Sequence, residues 1–401
     1  MVTVGQKLYN TIILLAYNFL SATVPNGKII EDHPVGIKDA VISSGYTFNE
    51  YEVTTADGYL LSMFRIGRRS SQNGTSTSAN GSPVLIVHGF LSNAYDWLLL
   101  GPGDSLAYKL VDQGYDVWLG NCRGNKYSRK HVKYDPEEPP FWRFSFHEIG
   151  YYDLPAKIDF ILNQTGYKSI YYIGHSQGTT SMFITASERP EYIKTIRLFI
   201  AFAPVAFTKS MPALMAELLA TFYKPFEWFV YMFDYQEFLP GAHEVQHKVL
   251  RLFCDENMPF ANLCRTFFRA NVGYSVDSES FTAQQLFNSA PGGASTHQLL
   301  HFLQTKRSDK FCQYDYGFMT NYIKYGKSRP PDYNLKTTIP TALIYSNNDW
   351  LSTEQDVKRI SAQLKNIKFR YKSHANHVDY LFGRRTNRIL TPIITKLLRA
   401  N

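Results

Sequence analysis

Five residues, Gly174-His175-Ser176-Gln177-Gly178, constrain this chain more than any other stretch. An apolar run from Ile170 to Ile173 leads into them, and a small-residue segment with helical character follows to about Glu188. A serine between strand and helix, with glycine two positions to either side, marks a turn too tight for side chains at the flanking positions. Such a turn holds the serine in strained backbone at a helix N-terminus, where the dipole favours developing negative charge. The pattern demands a strand–turn–helix unit. It makes Ser176 a candidate nucleophile, with Gly174 and Gly178 as the glycines of its elbow.

The rest of the chain supplies neighbours for that unit. Val84-Leu85-Ile86-Val87 is a continuous apolar run, as a strand buried on both faces requires. Asp104 to Gln113 has helical spacing, Gly114 stops it, and Tyr115 to Leu119 is the next strand. Asp153 is expected to cap a helix running through Leu162, with Pro155 tolerated in its first turn. Leu198 to Ala203 is a further strand. The alternation then breaks, and from about Phe207 to Asp332 the sequence is mostly helix-like. It resumes with a strand at Thr341 to Ser346, a helix at Thr353 to Leu364 and a β-like segment at Lys368 to Tyr371. A last helix is expected to start at Thr391-Pro392 and to carry Ile393, Ile394, Leu397 and Leu398 on one side. This order predicts a mostly parallel sheet covered on both faces. The α/β core falls in two parts, 24–206 and 333–401, around a helical insertion at 207–332.

Residues 1–23 read as a removable secretory segment, with Lys7 as positive flank, a mostly apolar stretch from Leu8 to Leu20, and small residues Ser21, Ala22 and Thr23. That stretch is too short to span a bilayer, and no run of about 18 apolar residues occurs elsewhere, so no permanent membrane span is expected. Entry to the secretory pathway makes Asn73, Asn80 and Asn163 glycosylation acceptors on pattern. Cys254 and Cys264 are close enough in sequence to close a short loop, though four cysteines allow three full pairings. No cysteine or histidine cluster has zinc spacing, and neither metal nor cofactor is expected.

A serine nucleophile needs a base, an acid and donors for an oxyanion. His88-Gly89-Phe90-Leu91 ends an earlier strand, and the donors are assigned to the backbone N–H groups of Phe90 and Gln177, with Leu91 the adjacent alternative. His88 itself is expected to shape that turn through a hydrogen bond. Where an elbow of this kind carries the nucleophile, the acid follows the serine and the histidine comes last. Asp349 follows the strand Thr341 to Ser346 through Asn347-Asn348, as an acid projecting from a strand end should; Asp332 and Asp356 are weaker candidates. Only His374 and His377 lie beyond Asp349, and His377 is better placed in a loop before a helix. Ser176 would attack a carbonyl, His377 would move the proton, and Asp349 would fix the tautomer and stabilise imidazolium.

Several stretches together resemble the acid lipase family, which includes gastric and lysosomal acid lipases. They include Y-E-V-T-T-A-D-G-Y-L-L at 51–61, H-G-F-L-S at 88–92 and G-Y-D-V-W-L-G-N-C-R-G-N at 114–125. F-W-R-F-S-F-H-E at 141–148, Y-D-L-P-A-K-I-D-F-I at 152–161, G-H-S-Q-G-T-T at 174–180, A-P-V-A at 203–206, N-D-W-L at 348–351 and N-H-V-D at 376–379 follow in the family's order. The resemblance implies an α/β-hydrolase core with a helical cap and lid, and hydrolysis of neutral glycerolipid or sterol esters outside the cell or in the lysosome. Carried over position by position, it places the nucleophile on Ser176, the acid on Asp349, the histidine on His377 and the oxyanion donors on Gln177 and Phe90. It also pairs Cys254 with Cys264 inside the cap. Cys122 stands where the family usually has serine and Phe90 where it has leucine, and Leu381-Phe382-Gly383-Arg384-Arg385 lacks the family's acidic, proline-containing turn.

Composition enters at the substrate. The chain has 28 Phe, 28 Tyr and 5 Trp and a net charge of +8, a balance open to nucleic acid, anionic membrane or apolar substrate. Without a basic run or recognised motif, nucleic-acid binding is poorly supported. The densest aromatic cluster, Phe222 to Phe238, lies in the insertion expected to cover Ser176 and reads as lid or acyl-groove lining, with ordinary cap core as the alternative. The expected partner is a neutral lipid at a lipid–water interface, met by a monomer. Two rival readings are an esterase for short soluble esters and a silent lipid carrier on the same scaffold.

Overall fold

The computed structural model describes residues 4–22, 36–68, 81–242, 244–275, 277, 286–287 and 289–401. The acceptors Asn73 and Asn80 lie outside them; Asn163 is exposed near the end of the helix Leu154–Thr165.

Among the described residues nine strands form the main sheet: β1 (Tyr46–Thr54), β2 (Tyr59–Arg68), β3 (Pro83–Val87), β4 (Asp116–Gly120), β5 (Lys130–His131), β6 (Ile170–His175), β7 (Ile196–Phe202), β10 (Thr341–Ser346) and β11 (Ile367–Ser373). The two-residue strands β8 (Glu237–Phe238) and β9 (Ala294–Ser295) pair separately. The main order is β1-β2-β4-β3-β6-β7-β10-β11, with β5 beside β2. From β4 to β11 every neighbouring pair is parallel, while β1–β2, β2–β4 and β2–β5 are antiparallel. The strand Ile170–His175, whose end becomes the elbow, is thus third from one edge of the parallel block and flanked on both sides.

The alternating geometry of a strand divides its side chains between two cores. Val84, Ile86, Tyr171, Ile173, Ile200 and Ile344 face one core, closed by Leu106 and Leu110 and by Leu390, Ile394 and Leu398 of the last helix. Leu85, Val87, Tyr172, Phe199, Ala201 and Leu343 face the other, closed by Leu154, Ile158 and Ile161 and by Met182 and Phe183. Both faces being covered, the central strands read as unbroken apolar runs rather than as alternation. Each of these buried aliphatic side chains contributes about 1.5–3 kcal/mol relative to exposure.

Between β7 and β10 the described residues hold, besides loops, β8, β9 and one isolated bridge from Cys312 to Asp332, helices at Leu214–Thr221, Tyr223–Met232, Glu244–Cys254, Ala261–Val272, Thr296–Ser308 and Phe318–Tyr325. A disulfide joins Cys254 to Cys264 across two of them, and Cys122 and Cys312 are free and buried. The aromatic cluster divides. Tyr223 and Val230 pack with Leu300, Leu303 and Tyr314, whereas Phe222 and Trp228 are each 59% exposed.

Two local expectations are corrected, and one hairpin is added. Asp153 is not a cap: its backbone is already helical, in a π turn at Ile149–Asp153, and its carboxylate accepts from the Arg123 guanidinium (2.6 Å) and backbone N–H (3.0 Å). The last helix begins at Arg384, not at Thr391, and Pro392 lies inside it. Burial of Leu390, Ile394 and Leu398 every fourth residue outweighs the one hydrogen bond the proline removes. The antiparallel β1–β2 hairpin was not anticipated as strands; its signal was Asp57-Gly58 between alternating segments, with Gly58 at φ +98°.

Candidate active site

Ser176 has φ +52° and ψ −119°, in the left-handed half of backbone space that non-glycine residues avoid at about 1–3 kcal/mol. The neighbouring contacts hold it there. Its N–H donates to Phe202 O (3.0 Å), and its carbonyl accepts from the Thr179 N–H (2.8 Å) and hydroxyl (2.6 Å). A Cβ on Gly178 would stand 2.5 Å from Val87 O, and one on Gly174 2.8 Å from Gly178 C, so backbone itself fills the space. A Cβ on Gly89 would meet Ser176 Cβ at 3.0 Å, which sets the His88-Gly89-Phe90 turn directly against the serine.

That turn is fixed by His88. Its Nε2 accepts from the Cys122 N–H (3.0 Å) and from Asn125 Nδ2 (3.0 Å), leaving Nδ1–H to donate to Gly89 O (2.8 Å). Burial pushes His88 down to about 4, so the ring stays neutral and keeps this tautomer. The Cys122 thiol is pushed up to about 12 by burial and is inert as a nucleophile. Among the described residues, no acceptor takes the N–H of Phe90 or of Gln177.

Asp349 and His377 are 2% and 5% exposed and face each other, with His377 Nδ1 at 2.9 Å and 3.0 Å from the two carboxylate oxygens. Oδ1 also accepts from the backbone N–H of Leu351 (2.9 Å) and Ser352 (2.8 Å), which locks the carboxylate plane. The histidine loop is held at two further points: His377 N–H donates to Val272 O (3.1 Å), and His377 O accepts from His175 Nε2 (2.8 Å). His175 is the residue before Ser176, and burial, then the neighbouring His377, drives it well below its ordinary value. It is a neutral strut between elbow and histidine loop, a role that its place as the variable residue of the motif did not reveal. The rival residues serve elsewhere. Asp356 accepts from the Ser210 N–H (3.0 Å), and His374 and Asp332 are exposed.

The insertion closes over this site. The Phe90 ring stacks on Phe238 (6.3 Å between centroids) and meets Phe302 edge-on (5.8 Å), and Gln298 donates to the Gln177 side chain (3.1 Å). Gly292 N–H donates to Leu91 O (2.6 Å), pinning the insertion to the turn. Ser176 is left 9% exposed.

Residues 82–384 match the alpha/beta hydrolase fold family, and residues 37–101 match the partial alpha/beta-hydrolase lipase region. The chain is 34% identical to Lipase 3 of Drosophila melanogaster over 97% of its own length and 98% of that protein's. This chain belongs to the acid lipase family. Gastric triacylglycerol lipase of Rattus norvegicus is 37% identical over 89% of this acid lipase and 90% of its own chain. Lysosomal acid lipase/cholesteryl ester hydrolase of Homo sapiens is 33% identical over 94% and 95%.

Within this acid lipase the loop after His377 carries a titratable clamp. Asp379 Oδ2 accepts from the Asn376 N–H (2.8 Å), and Oδ1 lies 2.6 Å from Ser275 Oγ of the insertion. Burial raises Asp379 from 3.8 to about 6, with the Asp277 and Asp349 charges adding to the rise. The folded protein therefore holds this proton more tightly than the unfolded chain. Its stabilisation is complete below about pH 4 and is lost as pH rises through about 6, a change of about 3 kcal/mol. Asp379→Asn cannot titrate, so its thermal midpoint should vary less between those pH values than that of the native chain. Parallel thermal melts across that range measure the difference, and equal slopes would refute it.

Proposed function

We propose that this acid lipase hydrolyses acyl esters of neutral lipids, triacylglycerol or cholesteryl ester, through Ser176, His377 and Asp349. The buried Asp349–His377 pair, tied through His175 to the strained serine, carries the reading. Ser176 Oγ attacks the ester carbonyl while His377 Nε2 takes its proton. The N–H groups of Phe90 and Gln177 receive the oxyanion, in a site where such donors are each worth about 2.7–4 kcal/mol. His377 then returns the proton to the leaving alkoxide, and water enters by the reverse steps to free the fatty acid. The activities for which the gastric and lysosomal relatives are named support the substrate class, and the exposed apolar side chains of the aromatic segment support its role as a lid. Removal of residues 1–23 in a secretory route, to the exterior or the lysosome, fits the helix Val4–Ala22, where Leu8, Ile12, Leu15 and Phe19 all face outward. Asn163, exposed, remains an acceptor for glycan.

A substrate panel tests the substrate class. Emulsified triolein and cholesteryl oleate should be turned over with a rise in rate once substrate exceeds its solubility, while a short soluble ester is hydrolysed slowly and without such a rise. Saturation below the solubility limit, with the short ester preferred, would replace this reading by a soluble esterase. No turnover of any ester would leave a lipid carrier.

A further inference from the structure

The helix Phe318–Tyr325 turns Asn321 inward, where its side chain donates to Asp315 (2.7 Å) and to Ser328 O (3.2 Å). Its other face carries Phe318 (68% exposed), Met319 (71%), Tyr322 (62%) and Ile323 (82%). Residues at these spacings share one side of a helix. Four large apolar side chains on two turns exceed the scattered exposure that needs no explanation. Cations follow in sequence: Lys324, Lys327 and Arg329 are all exposed, and no carboxylate occurs from Phe318 to Arg329. Asp315, just before the helix, is occupied with Asn321 and the Gly317 N–H (2.9 Å).

Behind this face the helix is tied through buried Tyr314 to the lid segment. Tyr325 donates to Tyr314 O (2.9 Å), the Tyr314 ring packs on Tyr316 (4.7 Å), and the Tyr314 and Tyr231 hydroxyls are 3.3 Å apart. Tyr231 belongs to the helix Tyr223–Met232, whose Trp228 and Met232 are each 59% exposed.

We propose that the helix Phe318–Tyr325 and the basic turn after it dock on an anionic phospholipid surface. The four apolar side chains enter the boundary between headgroups and acyl chains, and Lys324, Lys327 and Arg329 meet the phosphates. Charge decides the occupant. A second copy packed on this face by two-fold symmetry would bring like cations together, and a purely apolar surface would leave them unanswered.

The test is flotation of the purified full chain carrying Ser176→Ala, on phosphatidylcholine vesicles with and without phosphatidylglycerol. Hydrolysis plays no part in this readout, so its failure leaves the esterase reading standing, and failure of that reading leaves this one standing. Partition should favour the mixed vesicles and fall with added salt. Lys327→Glu with Arg329→Glu should lower it about tenfold or more, and Phe318→Asp with Ile323→Asp should lower it by a similar factor. Thermal melts report whether each variant is folded; if one is not, Ile323→Ser and Lys327→Gln take its place. Equal partition on both vesicles, undiminished partition of folded variants, or a solution dimer that the aspartate variants dissociate would each overturn the proposal.

Discussion

Ser176→Ala is expected to lower kcat for ester hydrolysis by on the order of 10⁵–10⁶-fold, leaving only what the oxyanion donors and substrate binding supply. The size follows from position. Ser176 sits on a turn where its carbonyl and N–H are fully engaged, so only the side-chain oxygen is free to react. Alanine keeps the Cβ and the same strained φ, so the contacts of Gly89, Gly174 and Gly178 around it are unchanged. The variant should therefore melt with the native chain, which separates lost chemistry from lost fold. Titration of fatty acid release from emulsified triolein, together with covalent labelling by a fluorophosphonate, reads both sides. A folded Ser176→Ala protein that still releases acid at an unchanged rate, or still takes the label, would remove the serine from the mechanism.

The strands and the elbow were legible because each is dictated locally. Doubly buried strands must be continuous apolar runs, and backbone packed on backbone leaves only glycine at Gly174 and Gly178. The contact between Asp349 and His377 was readable by order, since the polypeptide has few acids and histidines at strand ends late in the chain. What escaped depends on distance in space. Asp153 looks like a cap until Arg123, thirty residues earlier, claims its carboxylate. His175 sits in the motif's variable position, yet its bond to His377 O spans 202 residues. Asp379 and Ser275 are 104 residues apart, and no local spacing announces such a clamp. Pro392 misled for the opposite reason: a local rule was outweighed by the apolar stripe that buries the last helix. The aromatic cluster is neither all exposed nor all core, because a helix with apolar residues on both sides buries one and exposes the other.

Asp349→Asn should cost about 10⁴-fold in kcat while leaving the site nearly superimposable. The reason lies in what else the carboxylate holds. Oδ1 accepts two backbone N–H groups, from Leu351 and Ser352, so an asparagine must place its own oxygen there to avoid setting donor against donor. Its amide nitrogen then occupies the Oδ2 position, 3.0 Å from His377 Nδ1. That nitrogen donates, and the oxygen 2.9 Å from Nδ1 already takes two backbone N–H groups, so the balance shifts toward the ring proton on Nε2, the atom that should take the proton of Ser176. The base is present but in the wrong tautomer, and the carboxylate that would stabilise imidazolium is gone. A change of pH neither turns the amide into an acceptor nor supplies the missing charge, so the loss should persist at every pH tested. A pH series of kcat on a soluble ester measures it, alongside thermal melts. A loss below about tenfold with an unchanged pH profile would place the histidine's orienting group elsewhere.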